Sequence, residues 1–336
     1  MTKTARRWPT ALLAASATRA AQSQITPSWS GPLPQRLSSA KRQALAKLDQ
    51  QAEPWRRPNY RGRLADIRGG LALATGLLAA ALNQRPNSDV AARLGRPGPA
   101  RRISSARHYG PAVAIGLACA AGLADDLSDG SRARGLKGHL SALTHGQVTT
   151  GLVKVIVIGA AAIVVAALEQ FGPAVRPGPG SLADSVQAGP GRIGGGRRWR
   201  RLGQSLADAV LIAGSANLVN LLDLRPGRAL KAACLPAVYL AAHDWPGSQL
   251  AAGLLGAAAA AAPTDLAEQT MLGDSGANAL GACLGIAAVR GLSPARRGLA
   301  AAIVSGLILV SEKVSFSRII AANPVLDGLD RLGRTE

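Results

Sequence analysis

Aromatic residues are scarce in this sequence: two Phe, three Tyr and five Trp, 3% of 336 residues. With no aromatics interleaved among the cations, no zinc spacing and no RNP-like segment, no nucleic-acid partner is expected. Cysteine is nearly absent. Cys119, Cys234 and Cys283 all fall inside apolar runs, which excludes a disulfide or thiolate–metal framework and leaves them as small core residues. The four histidines imply no two-His metal site, since His139 and His145 are six apart and do not share a helical face. His243, beside Asp244, is assigned no role. Acidic residues are also few, 19 against 39 Lys and Arg, for a net charge of +20. Such an excess calls for an anionic partner, and with nucleic acid set aside that means anionic lipid or a phosphorylated substrate.

What is abundant is small and apolar. The chain is 48% hydrophobic, mostly Ala, Leu and Val, with 39 Gly. Small residues at this density suit membrane helices whose backbones approach closely. Apolar runs recur near 67–82, 110–124, 151–169, 205–219, 231–243, 247–263, 276–291 and 298–311. The run GLVKVIVIGAAAIVVAAL at 151–168 has one Lys near its start and belongs in lipid. Several runs are shorter than the ~20 residues a bilayer requires, so their helices are expected to extend into the polar flanks.

The expected fold is therefore all-α, a polytopic transmembrane bundle of about 8–10 spans. Residues 1–66 form a basic N-terminal region, in which 10–25 is either a degenerate first span or a surface helix. Residues 38–50 read as an amphipathic helix and PWRRPNYRGR as a basic loop. The membrane domain covers 67–311, with a Gly/Pro/Arg-rich flexible insert at 172–204, and 312–336 is a cytoplasmic tail. Eight spans put both termini on one side. The positive-inside rule places that side in the cytoplasm, together with 125–150, 220–230, 264–275 and 312–336. Against the rule, 83–109 and 172–204 would then be external with six Arg each.

Those four cytoplasmic segments hold nearly all of the polar clusters. The run ending GLADDLSD carries Asp125, Asp126 and Asp129 at the mouth of a span, followed by Arg132, Arg134, Lys137 and His139. Carboxylates there are hard oxygen ligands suited to Mg²⁺, which binds one or two of them plus substrate phosphates; the plainer reading is a solvated helix end. In ANLVNLLDLRPGRALK, Asn217, Asn220 and Asp223 recur at i, i+3 and i+6 on one side of an apolar helix. Polar groups there need partners, supplied by a substrate or by interhelical hydrogen bonds. Arg225, Arg228 and Lys231 follow and suit a diphosphate. In TMLGDSGANALGACLG, Asp274 opens a span, as an ordinary cap or beside a phosphate, with Asn278 one turn further in. Finally PNYRGR, with Asn59 and Arg61, precedes Gly69 and Gly70.

In this order the segments resemble the polyprenyl-phosphate N-acetylhexosamine-1-phosphate transferase superfamily (glycosyltransferase family 4), over roughly 55–330. PN-x-R with a following GG is similar to its first cytoplasmic loop, GLADDLSD to its DD motif, NLVNLLD to the start of its N-A-x-N-x-x-D-G-x-D-G motif, and MLGDSGANALGACLG to its M-G-D-[ST]-G-[SA] segment. The resemblance implies a magnesium-dependent transferase that moves a phospho-amino-sugar from a UDP-sugar to a polyprenyl phosphate and releases UMP in cell-envelope glycan synthesis. It implies Asp125, Asp126 and Asp223 as catalytic and Asp274, Asp125 and Asp126 as metal ligands. It also implies a substrate site of Asn59, Arg61, Lys137, Asn217, Asn220, Arg225, Arg228 and Asn278. The expected partners are the lipid, the UDP-amino sugar, the plasma membrane with the site facing the cytoplasm, and a second copy in a homodimer. The chain departs from the pattern twice: Leu224, Arg225 and Pro226 stand where G-x-D would, and the His-rich C-terminal loop is missing. The rival reading is a catalytically degenerate relative that binds lipid or nucleotide, or acts as a scaffold. A transporter ranks third, because the polar clusters collect at one face.

Overall fold

The computed structural model describes residues 7–25, 52–84, 99–128, 143–146, 148–171 and 195–334. The helix expected at 38–50, together with Asp129, Arg132, Arg134, Lys137 and His139, lies outside them. Every apolar run becomes a helix: α2 Arg68–Leu82, α3 Pro99–Leu127, α4 Thr150–Phe171, α5 Gly195–Leu222, α6 Arg228–Ala242, α7 Ser248–Leu266, α8 Gly273–Gly291 and α9 Pro294–Ser311. Before them runs α1, Arg7–Gln22, and after them two short helices, α10 Phe316–Ala322 and α11 Pro324–Arg331. The fold is an all-α bundle, and four of its helices (in α3, α4, α5 and α9) are long and apolar enough to cross a membrane.

Two details differ from the sequence reading. The last ten residues of the 172–204 insert open α5, while 172–194 lie outside the described residues. The basic loop PWRRPNYRGR is a small hairpin, β1 Arg56–Pro58 antiparallel to β2 Leu64–Asp66. Its turn is built by Asn59, whose Oδ1 accepts the amides of Arg61 and Arg63, and by Gly62 at φ 75°. Strands of three residues leave no periodicity to read.

α1 packs into the bundle, and small residues explain how. Thr10, Ala14 and Thr18 are buried along one face. A Cβ on Gly76 of α2 would lie 2.0 Å from Thr18 Oγ1, and one on Gly256 of α7 would lie 2.0 Å from the Ala11 carbonyl. The backbones touch, as small-residue packing allows. Among the described residues the bundle thus has nine long helices, within the 8–10 spans expected, and its ends fall on opposite faces: Arg7 pairs with Asp244 past the end of α6, whereas Arg334 bonds the Pro226 carbonyl before its start.

α8 runs through the centre, buried almost continuously from Ser275 to Val289 against α2, α3, α5, α6 and α7. Charged side chains gather in two layers. One holds Asp125, Lys154 and Asp274; the other holds Arg107, Glu169 and Arg290, where Glu169 pairs with both arginines. Arg107 and Asp125 are 18 residues apart on α3, about 27 Å at 1.5 Å per residue. That is close to the ~30 Å hydrocarbon thickness of a bilayer. Between the layers the outer surface is apolar, with Val113, Ile156, Ile163, Val210, Leu235, Val238 and Ile303 all exposed. Such a girdle marks the lipid-facing surface of a membrane protein.

The helix starts at one end are locked by glycines. A Cβ on Gly70 would stand 1.9 Å from the Leu272 carbonyl and 2.7 Å from the Gly276 amide; one on Gly122 would stand 2.3 Å from the Asp274 carbonyl. Gly70→Ala is therefore expected to destabilise the protein by about 1–3 kcal/mol or more. Gly159→Ala, where α4 has open space, is expected to be neutral or mildly stabilising. Thermal unfolding in detergent followed by a conformation-sensitive dye compares the two.

Candidate active site

The starts of α2, α4, α6 and α8 and the ends of α1, α3, α5, α7 and α9 meet at the same end of the bundle. The first-turn N–H groups of a helix lack intrahelical partners, so each start needs acceptors. At three of them an aspartate from outside the helix supplies them. Asp66, buried at the end of β2, accepts from Arg68 N at 2.8 Å at the start of α2. Asp265, in the last turn of α7 beyond its apolar run, accepts from Gly227 N at 2.6 Å at the start of α6. Asp126, from the end of α3, accepts from Asp274 N and Ser275 N, both at 2.9 Å. β2 also pairs with the segment entering α8: Asp66 N bonds the Gln269 carbonyl at 3.2 Å and Met271 N bonds the Asp66 carbonyl at 3.0 Å.

Two further carboxylates have a different partner. Asp125 accepts from Thr150 Oγ1 at 2.6 Å and from Lys154 Nζ at 2.6 Å. Lys154 Nζ also donates to Asp274. One ammonium thus bridges the two carboxylates, with Asp274 the more open at 30% side-chain exposure. A lone Lys in an apolar helix is costly unless paired. That is the signal the sequence held for Lys154, which motif reasoning passed over.

Asp223, just past α5, is the third carboxylate, half-buried beside a small cavity that Tyr60, Arg225 and Asp265 also line. Burial, then the charges of Asp265 and Asp274, push its carboxyl well above the usual range. Burial likewise pushes Asp265 up to about 6, against the Gly227 amide that favours its charged form. A carboxyl whose folded pKa exceeds its ordinary 3.8 stabilises the fold at low pH, and that contribution fades as pH rises from about 4 to 6. The thermal midpoint is expected to fall across that window in wild type. Asp265→Asn, which keeps the acceptor for Gly227, is expected to flatten the fall by at most about 3 kcal/mol.

The other expected site residues divide. Asn59 donates to Glu268 Oε2 at 2.7 Å and Arg61 stands 3.4 Å from Glu268, so both help hold the hairpin on the segment before α8. Glu268 itself has φ 57°, a backbone conformation costly for a residue with a side chain. Arg225 lies 4.1 Å over the Tyr60 ring. Arg228 is buried in a fork with Asp330. Asn278 is buried and donates to the Asp274 carbonyl at 2.6 Å. Asn220 is half-buried, Asn217 is exposed, and neither side chain makes a hydrogen bond among the described residues. Lys137 lies outside those residues.

For magnesium, the donor set is narrower than the three ligands expected. Among the described residues no group of three or more His, Cys, Asp or Glu is arranged around one point. Asp126 has both oxygens on α8 amides, while Asp125 and Asp274 converge on a cation that is already there. Two converging carboxylates fit the one or two that magnesium takes when phosphates complete its shell. No protein-family model matches this chain, and no curated protein matches it.

Proposed function

We propose that this protein is a membrane-embedded, magnesium-dependent transferase. It moves a phospho-amino-sugar from a UDP-sugar to a polyprenyl phosphate and releases UMP, on the cytoplasmic face of the plasma membrane. The observation that carries the reading is the meeting of four segments distant in sequence at one end of the bundle: the 56–70 hairpin and glycines, Asp125–Asp126, Asp223, and Gly273–Asn278. They surround a lysine-bridged carboxylate pair. The chemistry fits the surroundings, because phosphoryl transfer needs alignment and charge neutralisation more than covalent help from the protein.

In the reaction a phosphate oxygen of the polyprenyl phosphate attacks the β-phosphorus of the donor. The bond from the β-phosphorus to the bridging oxygen breaks, and UMP leaves with that oxygen and its charge on the α-phosphate. Magnesium held by Asp125 and Asp274 would neutralise the phosphates being brought together. Lys154, on its flexible stem, gives up its carboxylate partners for phosphate oxygens and supplies a positive charge at the reacting centre. Asp126 keeps α8, and so Asp274, in position. The starts of α2, α4, α6 and α8 direct the positive ends of their dipoles toward the same anions.

The test is UMP release by the purified protein from UDP-N-acetylglucosamine and related UDP-sugars, with undecaprenyl phosphate and with or without Mg²⁺. Metal-dependent release that Asp274→Asn abolishes without unfolding the protein supports the reading. A degenerate relative that only binds is the second reading, favoured by the lysine standing where a metal would go. Folded protein that binds polyprenyl phosphate and turns over no donor would establish it.

A further inference from the structure

The C-terminal segment, read from the sequence as a cytoplasmic tail, folds back onto the start of α6. Arg228 Nε and Nη2 donate to the two oxygens of Asp330, each at 2.8 Å, and Nη1 donates to Ser317 at 2.8 Å. Lys231 Nζ donates to the carbonyls of Leu329 at 3.1 Å and Asp330 at 2.8 Å. Arg334 Nε donates to the Pro226 carbonyl at 2.9 Å. α11 is therefore fastened to the bundle by its polar side, where Asp330 is buried and Asp327 half-buried.

The opposite side of α11 is apolar and open. Val325, Leu329 and Leu332 recur at i, i+4 and i+7 and so share one face. They are 70%, 55% and 66% exposed, and Leu326 beside them is exposed as well. A surface helix in water turns its apolar stripe to the core and its charges outward. α11 does the reverse. An exposed apolar face of this kind calls for an apolar surface to cover it.

The position of the segment says what that surface is. It runs from the end of α9 to the start of α6, and both helices carry a lipid-facing stripe. On α9, Leu299, Ile303, Leu307 and Val310 are exposed along one side, and exposed apolar residues continue through Val314 and Ile319. On α6, Lys231 shares a face with Leu235 and Val238, both exposed. Lys231 precedes Leu235 by four residues, about 6 Å at 1.5 Å per residue. The carbonyls that Lys231 holds thus place the end of α11 at the edge of the apolar girdle, where headgroups meet acyl chains. A protein partner fits less well. Four apolar side chains on a helix of 8 residues fall far short of the ~20–30 residues a side of a stable protein interface.

We propose that α11 and the chain leading to it from α9 form an interfacial arm that lies in the plane of the membrane at the site end of the bundle. Its partner is the lipid surface, met by Val325, Leu329 and Leu332 through apolar burial and not through recognition of a particular headgroup. The fork between Arg228 and Asp330 fastens the arm to the bundle. The inference goes beyond the transferase reading, since it concerns a surface and holds or fails without turnover.

The test is a depth measurement on the full-length protein in phosphatidylcholine nanodiscs loaded with one copy each. Cys119, Cys234 and Cys283 are replaced by alanine, and nitroxide labels are placed through Val325→Cys, Leu329→Cys and Leu332→Cys. Ile303→Cys on α9 serves as the lipid-facing reference and Arg331→Cys as the reference on the polar side. The three labels are expected to collide more with oxygen than with a water-soluble nickel chelate, at depths of about 5–10 Å below the headgroups. Labels that meet nickel as readily as Arg331→Cys overturn the proposal. Shielding from both reagents that arises only in nanodiscs loaded with two copies assigns the face to a dimer and also overturns it. If the cysteine-free protein does not fold, Leu329→Trp in the otherwise native chain answers the same question. Its added fluorescence is expected to be quenched by phosphatidylcholine brominated near the top of the acyl chain, and an unquenched signal overturns the proposal. Insertion of the arm without UMP release would remove the transferase reading alone. UMP release with the arm in water would remove this one alone.

Discussion

Lys154→Met is expected to lower kcat for UMP release at least 100-fold while reducing the Mg²⁺ concentration needed for half-maximal rate. The ammonium lies between Asp125 and Asp274 and hydrogen-bonds both. In the proposed reaction those carboxylates hold magnesium, so the lysine competes with the metal before substrate arrives. Removing it frees the carboxylates and tightens metal binding. The same change removes a positive charge from phosphates that gain repulsion as they approach, and losing one such stabilising donor costs about 10²–10³ in rate. The two effects have opposite signs in one variant, and a purely structural lysine would not separate them. Lys154→Arg keeps the charge and is expected to recover part of the rate. A Lys154→Met protein that is folded, fully active and unchanged in Mg²⁺ dependence would remove the lysine from the mechanism. One with an unchanged rate but tighter Mg²⁺ binding would leave it as a competitor only.

The helices were legible because each apolar run of 13 to 19 residues bounded by Gly, Pro or charge has few alternatives once it is in lipid. Their extents were less legible. α3 begins at Pro99, well before its apolar run at 110, because a helix continues into polar sequence as long as nothing breaks it. α1 was ambiguous for a physical reason. Its run is short and dotted with Thr and Arg, and it belongs to the bundle through backbone contact at Gly76 and Gly256, which is visible only when the partners are in place. The DD, GDSG and GG segments do meet, as their common polarity at one membrane face implied. What the sequence could not apportion was role. Asp125 and Asp126 are adjacent, yet neighbouring helix positions face about 100° apart. One turns to Lys154 of α4 and the other to the amides of α8. The glycines read as part of a basic loop are contact points that let α2 and α8 touch. Lys154, Asp265 and the Arg228–Asp330 fork belong to no recognised pattern, and only the fold brings them together.

Asp126→Asn is expected to destabilise the protein by about 2–4 kcal/mol while leaving the Mg²⁺ dependence of the folded fraction unchanged. Asp126 accepts two backbone N–H groups at the start of the most buried helix of the bundle. Both are first-turn donors with no intrahelical partner, and the carboxylate also lies at the positive end of the α8 dipole. Asparagine retains one acceptor and turns an NH2 toward the second donor. One buried N–H is then left unpaired, at about 1–3 kcal/mol, and a charge-assisted bond becomes a neutral one. The α8 start has little room to adjust. Gly273 is held at φ 59° with the Asp126 carboxylate against it, and the carbonyls of Leu272 and Asp274 are in van der Waals contact with Gly70 and Gly122. Thermal unfolding should therefore shift down by several degrees, and UMP release per folded molecule should keep its metal profile. Asp125→Asn should do the reverse, with a modest shift in stability and a large loss of metal-dependent rate. If instead Asp126→Asn unfolds at the wild-type temperature but requires far more Mg²⁺, Asp126 is a metal ligand after all, and its hold on α8 is secondary.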